Sequence, residues 1–262
     1  MKKFKHLMRT MRFQWLWERL LSVALYGMNM GPIDIKTNGE EFLLKKLARR
    51  LPKDAVLFDV GANKGEYTLA LLEQFGREAK IFAFEPSIYT YGILNSIVPA
   101  HATLRLENIG FGEKVESVDL YYETEGSTLA SVHKRDLSEY GIQHARHAET
   151  IRITRIDEYC RANNIRRINL LKLDVEGHEL AVLKGCENLL SQKNIDVIQF
   201  EFGGCNVDSR VFLKDFYELL TPEYNLFRMV ADGLVPLHTY RAVYEKYGTN
   251  NLVATYDPSL LS

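Results

Sequence analysis

Short apolar runs alternate along this chain with stretches of helical periodicity. The runs at residues 55–58, 80–84 and 168–173 carry few polar side chains, which is typical of strands buried on both faces of a parallel sheet. Strands that alternate with helices in this way predict an α/β domain with one doubly wound, mostly parallel sheet. Two further strands near 225–230 and 251–256 are expected to close that sheet as an antiparallel C-terminal edge.

The same patterns place the remaining elements. We expect a helix that begins at a capping box of Asn38 and Glu41 and runs to about Leu51, and a second helix capped by Ser87. Further strands are expected at 104–108, 118–122, 151–154 and 195–200. Further helices are expected from Ile156, over 179–189 and over 212–220. The polar segment 136–149 is expected to be a surface loop or a short helix. It holds His144 and His147 and follows His133, but no tight ligand spacing supports a metal site there.

A glycine loop joins the first strand to the next helix in residues 55–68, AVLFDVGANKGEYT. Gly61 and Gly65 let the backbone pass close to a ligand, and the helix start offers free N–H groups. The spacing is G-x-x-x-G and lacks the extra glycine that a dinucleotide pyrophosphate requires. The loop therefore favours a nucleoside that carries a carboxylate, such as S-adenosylmethionine, and a simple turn is the alternative.

Polar residues end the first three predicted strands. Asp59 can accept a hydrogen bond from an ammonium group or from the loop backbone. Glu85 lies about 20 residues after Gly65, the usual distance for a carboxylate that binds two ribose hydroxyls. Nicotinamide nucleotides also use such an acid, so Glu85 predicts a nucleoside without choosing one. Asn108 could reach an adenine edge or could simply form a turn.

A second group of polar residues, Asp174, Glu176 and His178, follows the strand at 168–173, and Glu201 follows the next strand. Ligands of open parallel sheets bind beyond the carboxyl ends of the strands, and acids gathered there repel one another unless cations or donors face them. His178 could take a proton from a hydroxyl acceptor, or could make a helix-start hydrogen bond. A magnesium or manganese ion held by these four residues is an alternative interpretation.

Composition limits the classes of function. The 262 residues, 46% of them hydrophobic, suffice for one domain with a full core. A formal net charge of −1 gives no overall attraction to nucleic acid. Cys160, Cys186 and Cys205 share no metal-ligand spacing and indicate thiols in a reducing, cytoplasmic compartment.

Residues 1–31 form a basic amphipathic segment ahead of the expected single domain, 32–262. The first 20 residues carry Lys2, Lys3, Lys5, Arg9, Arg12 and Arg19 against Glu18 alone, and both tryptophans of the chain lie nearby. The charges interrupt the apolar run, which is too short to span a membrane, and no clear signal-peptide cleavage site follows. Two interpretations remain. In the first, the segment packs on the domain or on a second subunit of a homo-oligomer. In the second, residues 1–26 bind peripherally to the anionic inner face of the membrane.

Six motifs together resemble the FkbM-type methyltransferases. They are FDVGANKGEYT at 58–68, FEP at 84–86, ENIGFGE at 107–113, TRIDEYC at 154–160, LLKLDVEGHELAVLKG at 170–185 and IQFEF at 198–202, so the resemblance covers roughly residues 54–256. It implies a Rossmann-like fold of the class I methyltransferase type that binds S-adenosylmethionine. It also implies roles for individual residues: Asp59, Gly61, Asn63 and Gly65 on the methionine and ribose side, Glu85 on the ribose hydroxyls, Asn108 near the adenine, and Asp174, Glu176 and His178 at the methyl-transfer face.

The expected function is S-adenosylmethionine-dependent O-methylation of a hydroxyl on a sugar, a glycan or a related metabolite, with no metal. His178 or Asp174 would take the proton. Two alternatives remain at this point. One is a nicotinamide-dependent oxidoreductase, which the missing G-x-G-x-x-G and the missing Tyr-x-x-x-Lys disfavour. The other is a non-catalytic, cofactor-binding or membrane-docked partner protein.

Overall fold

The computed structural model describes residues 8–31, 34–138, 141–142, 147–221 and 223–261. Its strands are β1 (Val56–Val60), β2 (Lys80–Phe84), β3 (Leu104–Glu107), β4 (Gly110–Phe111), β5 (Glu116–Tyr122), β6 (His147–Thr154), β7 (Ile168–Leu173), β8 (Ile195–Phe202), β9 (Asn225–Val230), β10 (Gly233–Pro236) and β11 (Asn250–Thr255). Its α-helices are α1 (Gln14–Gly27), α2 (Glu40–Leu47), α3 (Glu66–Phe75), α4 (Ile88–Ile97), α5 (Ile156–Ala162), α6 (Glu179–Lys184), α7 (Glu187–Ser191), α8 (Cys205–Ser209) and α9 (Leu213–Leu220).

Eight strands form the central sheet in the order β10-β9-β11-β8-β7-β1-β2-β3. The strands from β8 to β3 are parallel, whereas β11 runs antiparallel to both β8 and β9. This order confirms the expected Rossmann-like sheet of the class I methyltransferase type with an antiparallel C-terminal edge. The chain moves outward from β1 to β3 and then returns on the other side of β1 with β7. A switch point, where such sheets bind ligands, therefore lies between β1 and β7.

Two apolar layers cover the two faces of the sheet. Successive side chains of a strand point to opposite faces, so Phe58 and Leu57 of β1 belong to different layers. The Phe58 layer packs against α5, α6, α7 and α9, and the Leu57 layer packs against α2 and α3. Burial on both faces explains why the strands read as continuous apolar runs. The three cysteines are buried in this core as free thiols.

Residues 110–154 depart from the expected single sheet. They contribute a separate three-stranded sheet in the order β4-β6-β5, in which β5 pairs antiparallel with β6. Residues 147–149, expected in a loop or a short helix, belong to β6, and His144 lies outside the described residues. Ile151 and Ile153 pack with Leu120 on one face of this sheet, and alternate positions of β6 are exposed. One buried face is the usual condition of an antiparallel sheet.

Two helix predictions were wrong in detail. The helix expected over 179–189 is divided into α6 and α7 near Gly185, where a Cβ would overlap the carbonyl oxygen of Gly112. The capping box of Asn38 and Glu41 is not formed either. Gly39, with φ of +97°, precedes α2, which ends at Leu47. The side chain of Asn38 instead accepts the N–H of Glu40.

The amphipathic helix α1 lies outside the core. None of its residues is buried, which disfavours packing on its own domain and leaves a second subunit and an anionic membrane surface as predictions. No helix in the described part of the chain has the length and hydropathy that a membrane crossing requires.

Candidate active site

A cavity of about 500 Å³ lies at the carboxyl ends of β1 and β7, the position that the switch point predicts. Its wall combines the glycine loop after β1, the segment after β7, the inner face of the second sheet and the loop near residues 127–135. The volume is within the range of small-molecule sites, about 300–1,000 Å³. The two groups of polar residues found in the sequence, apart from Asn108, therefore meet at one cavity.

The glycine loop approaches the segment after β7 closely. Gly61 has φ of +83°, and a Cβ on it would overlap the carbonyl oxygen of Asp174. Gly61 and Asn63 line the cavity, and Asn63 Oδ1 is buried with no hydrogen-bond partner in the described residues. Gly65 does not line it. That glycine begins α3 with φ of +93°, and its Cβ would lie 2.6 Å from Val98 Cγ2, so packing requires a glycine there.

Glu85 is buried and held by backbone donors. Its Oε2 accepts the N–H of Asn63 and its Oε1 accepts the N–H of Ser87, both at 3.0 Å. Each oxygen keeps a second lone pair with which it can accept a ligand hydroxyl. Burial raises the pKa of Glu85 to about 7.

Asp59 lies at the floor of the same cavity. It is buried and accepts the hydroxyl of Thr68 at 2.5 Å. Burial raises its pKa to about 6, despite the Thr68 hydrogen bond and the nearby charge of Lys172. An acid so buried responds strongly to a cation brought close to it.

Asn108 makes the contacts of a turn residue. Its Nδ2 donates to the carbonyl oxygens of Glu85 and Pro86, both at 2.9 Å, and it does not line the cavity, whereas Ile109 does. The residue thus fixes the backbone beside the Glu85 carboxylate. Its contact with an adenine stays a prediction.

Asp174, Glu176 and His178 all line the cavity. Positive φ angles at Glu176 (+51°) and Gly177 (+98°) end the extended chain, so His178 begins α6. Its side chain makes no capping hydrogen bond, which removes the alternative of a helix-start contact. His178 Nε2 is buried and has no hydrogen-bond partner in the described residues. Burial lowers the pKa of His178 to about 4, so the imidazole is neutral near neutral pH.

Arg135 and Ser131 join the loop of the second sheet to Glu176. The guanidinium of Arg135 pairs with the Glu176 carboxylate, and Ser131 Oγ donates to the Glu176 carbonyl oxygen at 2.7 Å. Burial raises the pKa of Glu176, and Arg135 works against that rise. This contact brings the second sheet over the cavity.

A buried polar network lies behind Asp174 and was not predicted from the sequence. Lys172 Nζ donates to Asp174 Oδ2 at 2.9 Å and lies 3.9 Å from Glu40 Oε1. Glu40 accepts from Gln199, which in turn accepts the hydroxyl of Tyr67 at 2.7 Å. Burial alone would lower the pKa of Lys172, but the surrounding carboxylates outweigh burial and raise it. Polar residues inside otherwise apolar buried strands were the available signal.

Glu179 was also missed. It is fully buried, and its Oε1 accepts the N–H groups of Val175 at 3.0 Å and Gly177 at 3.2 Å. These bonds hold the loop that carries Glu176 and His178. Burial raises the pKa of Glu179 to about 7.

Acidic side chains predominate in the wall of the cavity. Its acidic side chains, which outnumber its basic ones, are Glu40, Asp59, Glu66, Glu85, Asp174, Glu176 and Glu201, and the basic ones are Lys64, Arg135 and Lys172. Burial also raises the pKa of Glu201, which lies within β8 rather than after it. Across the described ranges, no three His, Cys, Asp or Glu side chains are grouped to hold a metal ion, so the alternative metal site has no support in this geometry.

Comparison with known proteins identifies a family. The protein-family model of the methyltransferase FkbM domain matches residues 59–228 of this chain. The hexuronic acid methyltransferase AglP of Haloferax volcanii is 30% identical over 167 residues, which cover 63% of this chain and 64% of that protein. The chain thus spans less than two thirds of AglP. Methyltransferase sdnD of Sordaria araneosa is 28% identical over 193 residues, covering 63% of this chain and 74% of that protein.

Two solved structures are similar in outline. A SAM-dependent O-methyltransferase from Thermotoga maritima is 13% identical, with a TM-score of 0.42 and coverage of 82% of this chain and 64% of its own. A precorrin-6y C5,15-methyltransferase from Geobacter metallireducens is 9% identical, with a TM-score of 0.41 and coverage of 86% and 93%. These scores are low, and the fold class rests on the strand order of the chain itself.

Proposed function

The chain belongs to the FkbM methyltransferase family, and we propose that it is an S-adenosylmethionine-dependent O-methyltransferase that acts on a hydroxyl of a sugar, a glycan or a related metabolite. The supporting observation is that one cavity is lined by Asp59, Asn63 and Glu85, which were predicted to bind the cofactor, and by Asp174, Glu176 and His178, which were predicted at the methyl-transfer face. The sugar acceptor draws its support from AglP, whose name gives a hexuronic acid as its substrate.

The residues present suit this cofactor. Glu85 would hold the ribose hydroxyls, Asn63 Oδ1 offers a buried acceptor without a partner in the described residues, and Asp59 with Asp174 would face the positive charges. Gly61 and Gly65 would shape the loop beneath it. When bound, S-adenosylmethionine supplies a methyl group already activated by a sulfonium, so the chain's main tasks are alignment and proton removal.

We assign proton removal to His178 and a supporting role to Asp174 and Glu176. A hydroxyl placed at His178 Nε2 would donate a hydrogen bond to a neutral, buried nitrogen. Because the pKa of His178 is low, the proton moves only as the new bond to the hydroxyl oxygen makes the hydroxyl acidic. Asp174 is a weaker candidate base, since Lys172 already neutralises its carboxylate.

The nicotinamide alternative is set aside because the family match is to methyltransferases. The non-catalytic alternative makes a different prediction: the cavity would bind the cofactor without any turnover.

Calorimetric titration with S-adenosylhomocysteine tests the cofactor proposal. We expect the wild type to bind. Glu85→Ala should lower the affinity at least about tenfold, because its buried hydrogen bonds to the ligand disappear. The control Glu78→Ala, whose side chain is 66% exposed, should bind with unchanged affinity. Absence of binding to the wild type would overturn the proposal.

A methyl-transfer assay with radiolabelled S-adenosylmethionine, hexuronic acids and neutral sugars tests the reaction. We expect product with the methyl group on oxygen, and a fall of about 10²-fold or more in kcat for His178→Ala with unchanged cofactor affinity. Cofactor binding without turnover on any acceptor would favour the non-catalytic alternative. Full activity of His178→Ala would remove that residue from the mechanism.

A further inference from the structure

The helix α1 presents large apolar side chains to solvent. Trp15, Leu21, Val23 and Tyr26 are 56%, 56%, 69% and 74% exposed, and Leu20 is 47% exposed. Isolated exposed apolar residues are ordinary, but several on one helix mark an interaction surface.

One broad side of α1 is entirely apolar. At 3.6 residues per turn, this side is formed by Leu16, Trp17, Leu20, Leu21, Val23 and Ala24. The charged and polar residues Glu18, Arg19 and Ser22 all lie on the opposite side, which they share with Trp15, Leu25 and Tyr26. A helix with this division lies flat at a boundary between water and an apolar phase.

The charge around α1 indicates which apolar phase. The first 20 residues carry a net charge of +5, whereas the rest of the chain carries −6. The Arg19 guanidinium lies 5.5 Å from the centre of the Trp15 ring, which puts a cation beside an aromatic side chain. Basic and aromatic residues of this kind are typical of helices that lie in anionic headgroup regions of a bilayer.

The chain after α1 is attached to the rim of the cavity. Arg228 donates to the carbonyl oxygen of Met28, and Asn29 Nδ2 donates to the carbonyl oxygen of Asn38 at 2.7 Å. Gly31 N donates to the carbonyl oxygen of Thr249 at 2.9 Å. Asn38 and Thr249 both line the cavity.

We propose that α1 binds the surface of an anionic lipid bilayer and thereby holds the rim of the cavity beside the membrane. The proposal rests on the exposure of the helix, on its entirely apolar side and on the basic charge of the first 20 residues, and does not depend on the proposed methyl transfer.

Tryptophan fluorescence of the full chain tests this directly, because both tryptophans, Trp15 and Trp17, lie in α1. We expect the emission to shift to the blue, and the protein to float with the lipid, when vesicles of equal parts phosphatidylglycerol and phosphatidylcholine are added. Vesicles of phosphatidylcholine alone should bind it at least about tenfold more weakly, and about 0.5 M salt should weaken binding to the anionic vesicles.

Matched double variants test whether vesicle binding depends on α1 or on exposed apolar side chains in general. Leu20→Ser with Leu21→Ser should lower vesicle partitioning at least about tenfold, because two leucine side chains leave the interface. The control pair, Ile97→Ser with Val243→Ser, changes side chains that are 51% and 55% exposed elsewhere and should bind as the wild type does.

Three results would overturn the proposal. They are no shift with anionic vesicles, equal partitioning of the two variant pairs, and a blue shift without lipid that grows with protein concentration. The last result, together with a doubled mass in sedimentation equilibrium, would show that a second copy of the chain covers α1. Loss of methyl transfer would bear on the proposed function alone, since vesicle binding needs neither cofactor nor turnover.

Discussion

At the scale of single residues, the backbone around the cavity leaves no room for a side chain at Gly61. Its positive φ is one reason for glycine, and the carbonyl oxygen of Asp174 is a second, stronger one. A flexible side chain could move aside, but a backbone oxygen at the end of β7 is held by the sheet. Gly76 has a positive φ of +69° too, yet nothing lies within 4 Å of the place where its Cβ would stand.

These two glycines give a matched pair of substitutions. Gly76→Ala should lower the free energy of unfolding by about 1–3 kcal/mol, the cost of a side chain at φ of +69° and ψ of −153°, a region that favours glycine. Gly61→Ala should cost at least about 3 kcal/mol and should abolish S-adenosylhomocysteine binding, because the loop has to move away from β7. Urea unfolding followed by circular dichroism measures the free energy of unfolding, and calorimetry measures the binding of S-adenosylhomocysteine. Equal losses in the two variants would show that the contact with Asp174 is unimportant.

At the scale of elements, the turn between β7 and α6 depends on Glu179. Its carboxylate accepts two N–H groups of the turn while remaining fully buried. The turn carries Glu176 and His178 in a conformation that an isolated peptide would rarely adopt. Glu179 is therefore a positioning residue.

Substitution at Glu179 should separate positioning from charge. Glu179→Ala leaves two buried N–H groups without an acceptor, which should cost about 1–3 kcal/mol for each and lower kcat. Glu179→Gln retains an acceptor oxygen, so kcat should return close to that of the wild type while KM stays unchanged. Methyl transfer and urea unfolding measure the two effects. If Gln were as damaging as Ala, the charge of Glu179 would matter more than its hydrogen bonds.

Elements differ in how far the sequence predicts them. β2 and β7 have the predicted bounds, because apolar runs buried on both faces leave a strong local pattern. The second sheet was not predicted, since an alternating strand does not indicate which sheet it joins. The close approach of Gly185, between α6 and α7, to Gly112 could not be predicted either, because the two residues are distant in sequence.

The residues of the candidate site also differ in how far the sequence predicts them. Asp59 lies near the end of β1, and Glu85 and Asp174 follow β2 and β7, so the known geometry of parallel sheets predicts that the three acids lie close together. The contacts of Lys172 with Glu40 and of Glu40 with Gln199 could not be predicted, because they require α2 to meet β7 and β8 from a different part of the chain.

At the scale of the whole molecule, the buried acids around the cavity make stability depend on pH. Burial raises the pKa of Asp59 to about 6 and those of Glu85 and Glu179 to about 7, from ordinary values near 4. An acid with a raised pKa in the folded state stabilises the fold below its unfolded pKa, and that contribution is lost as the pH rises through the folded pKa. His178, with a lowered pKa, acts in the opposite direction between about pH 6.5 and 4.

We therefore expect the free energy of unfolding of the ligand-free protein to fall between about pH 4 and 7, the interval between the ordinary and the raised pKa values. The loss is at most about 1.4 kcal/mol per unit of pH for each acid. Urea unfolding at constant ionic strength measures it, and Glu85→Gln should give a shallower decline than the wild type. Stability that stays level or increases over this range would show that these carboxyl groups are already ionised in the folded protein.

The burial of the three thiols has a practical consequence for the surface of the molecule. Burial raises the pKa of Cys160 to about 12 and raises those of Cys186 and Cys205 as well, so thiolate is scarce at neutral pH and hidden from reagents. The natural chain therefore behaves towards a maleimide as though it had no cysteine. A single cysteine introduced on the exposed side of α1 could therefore be spin-labelled without removing the three natural cysteines. The accessibility of that label to oxygen would report how deeply the helix enters a bilayer.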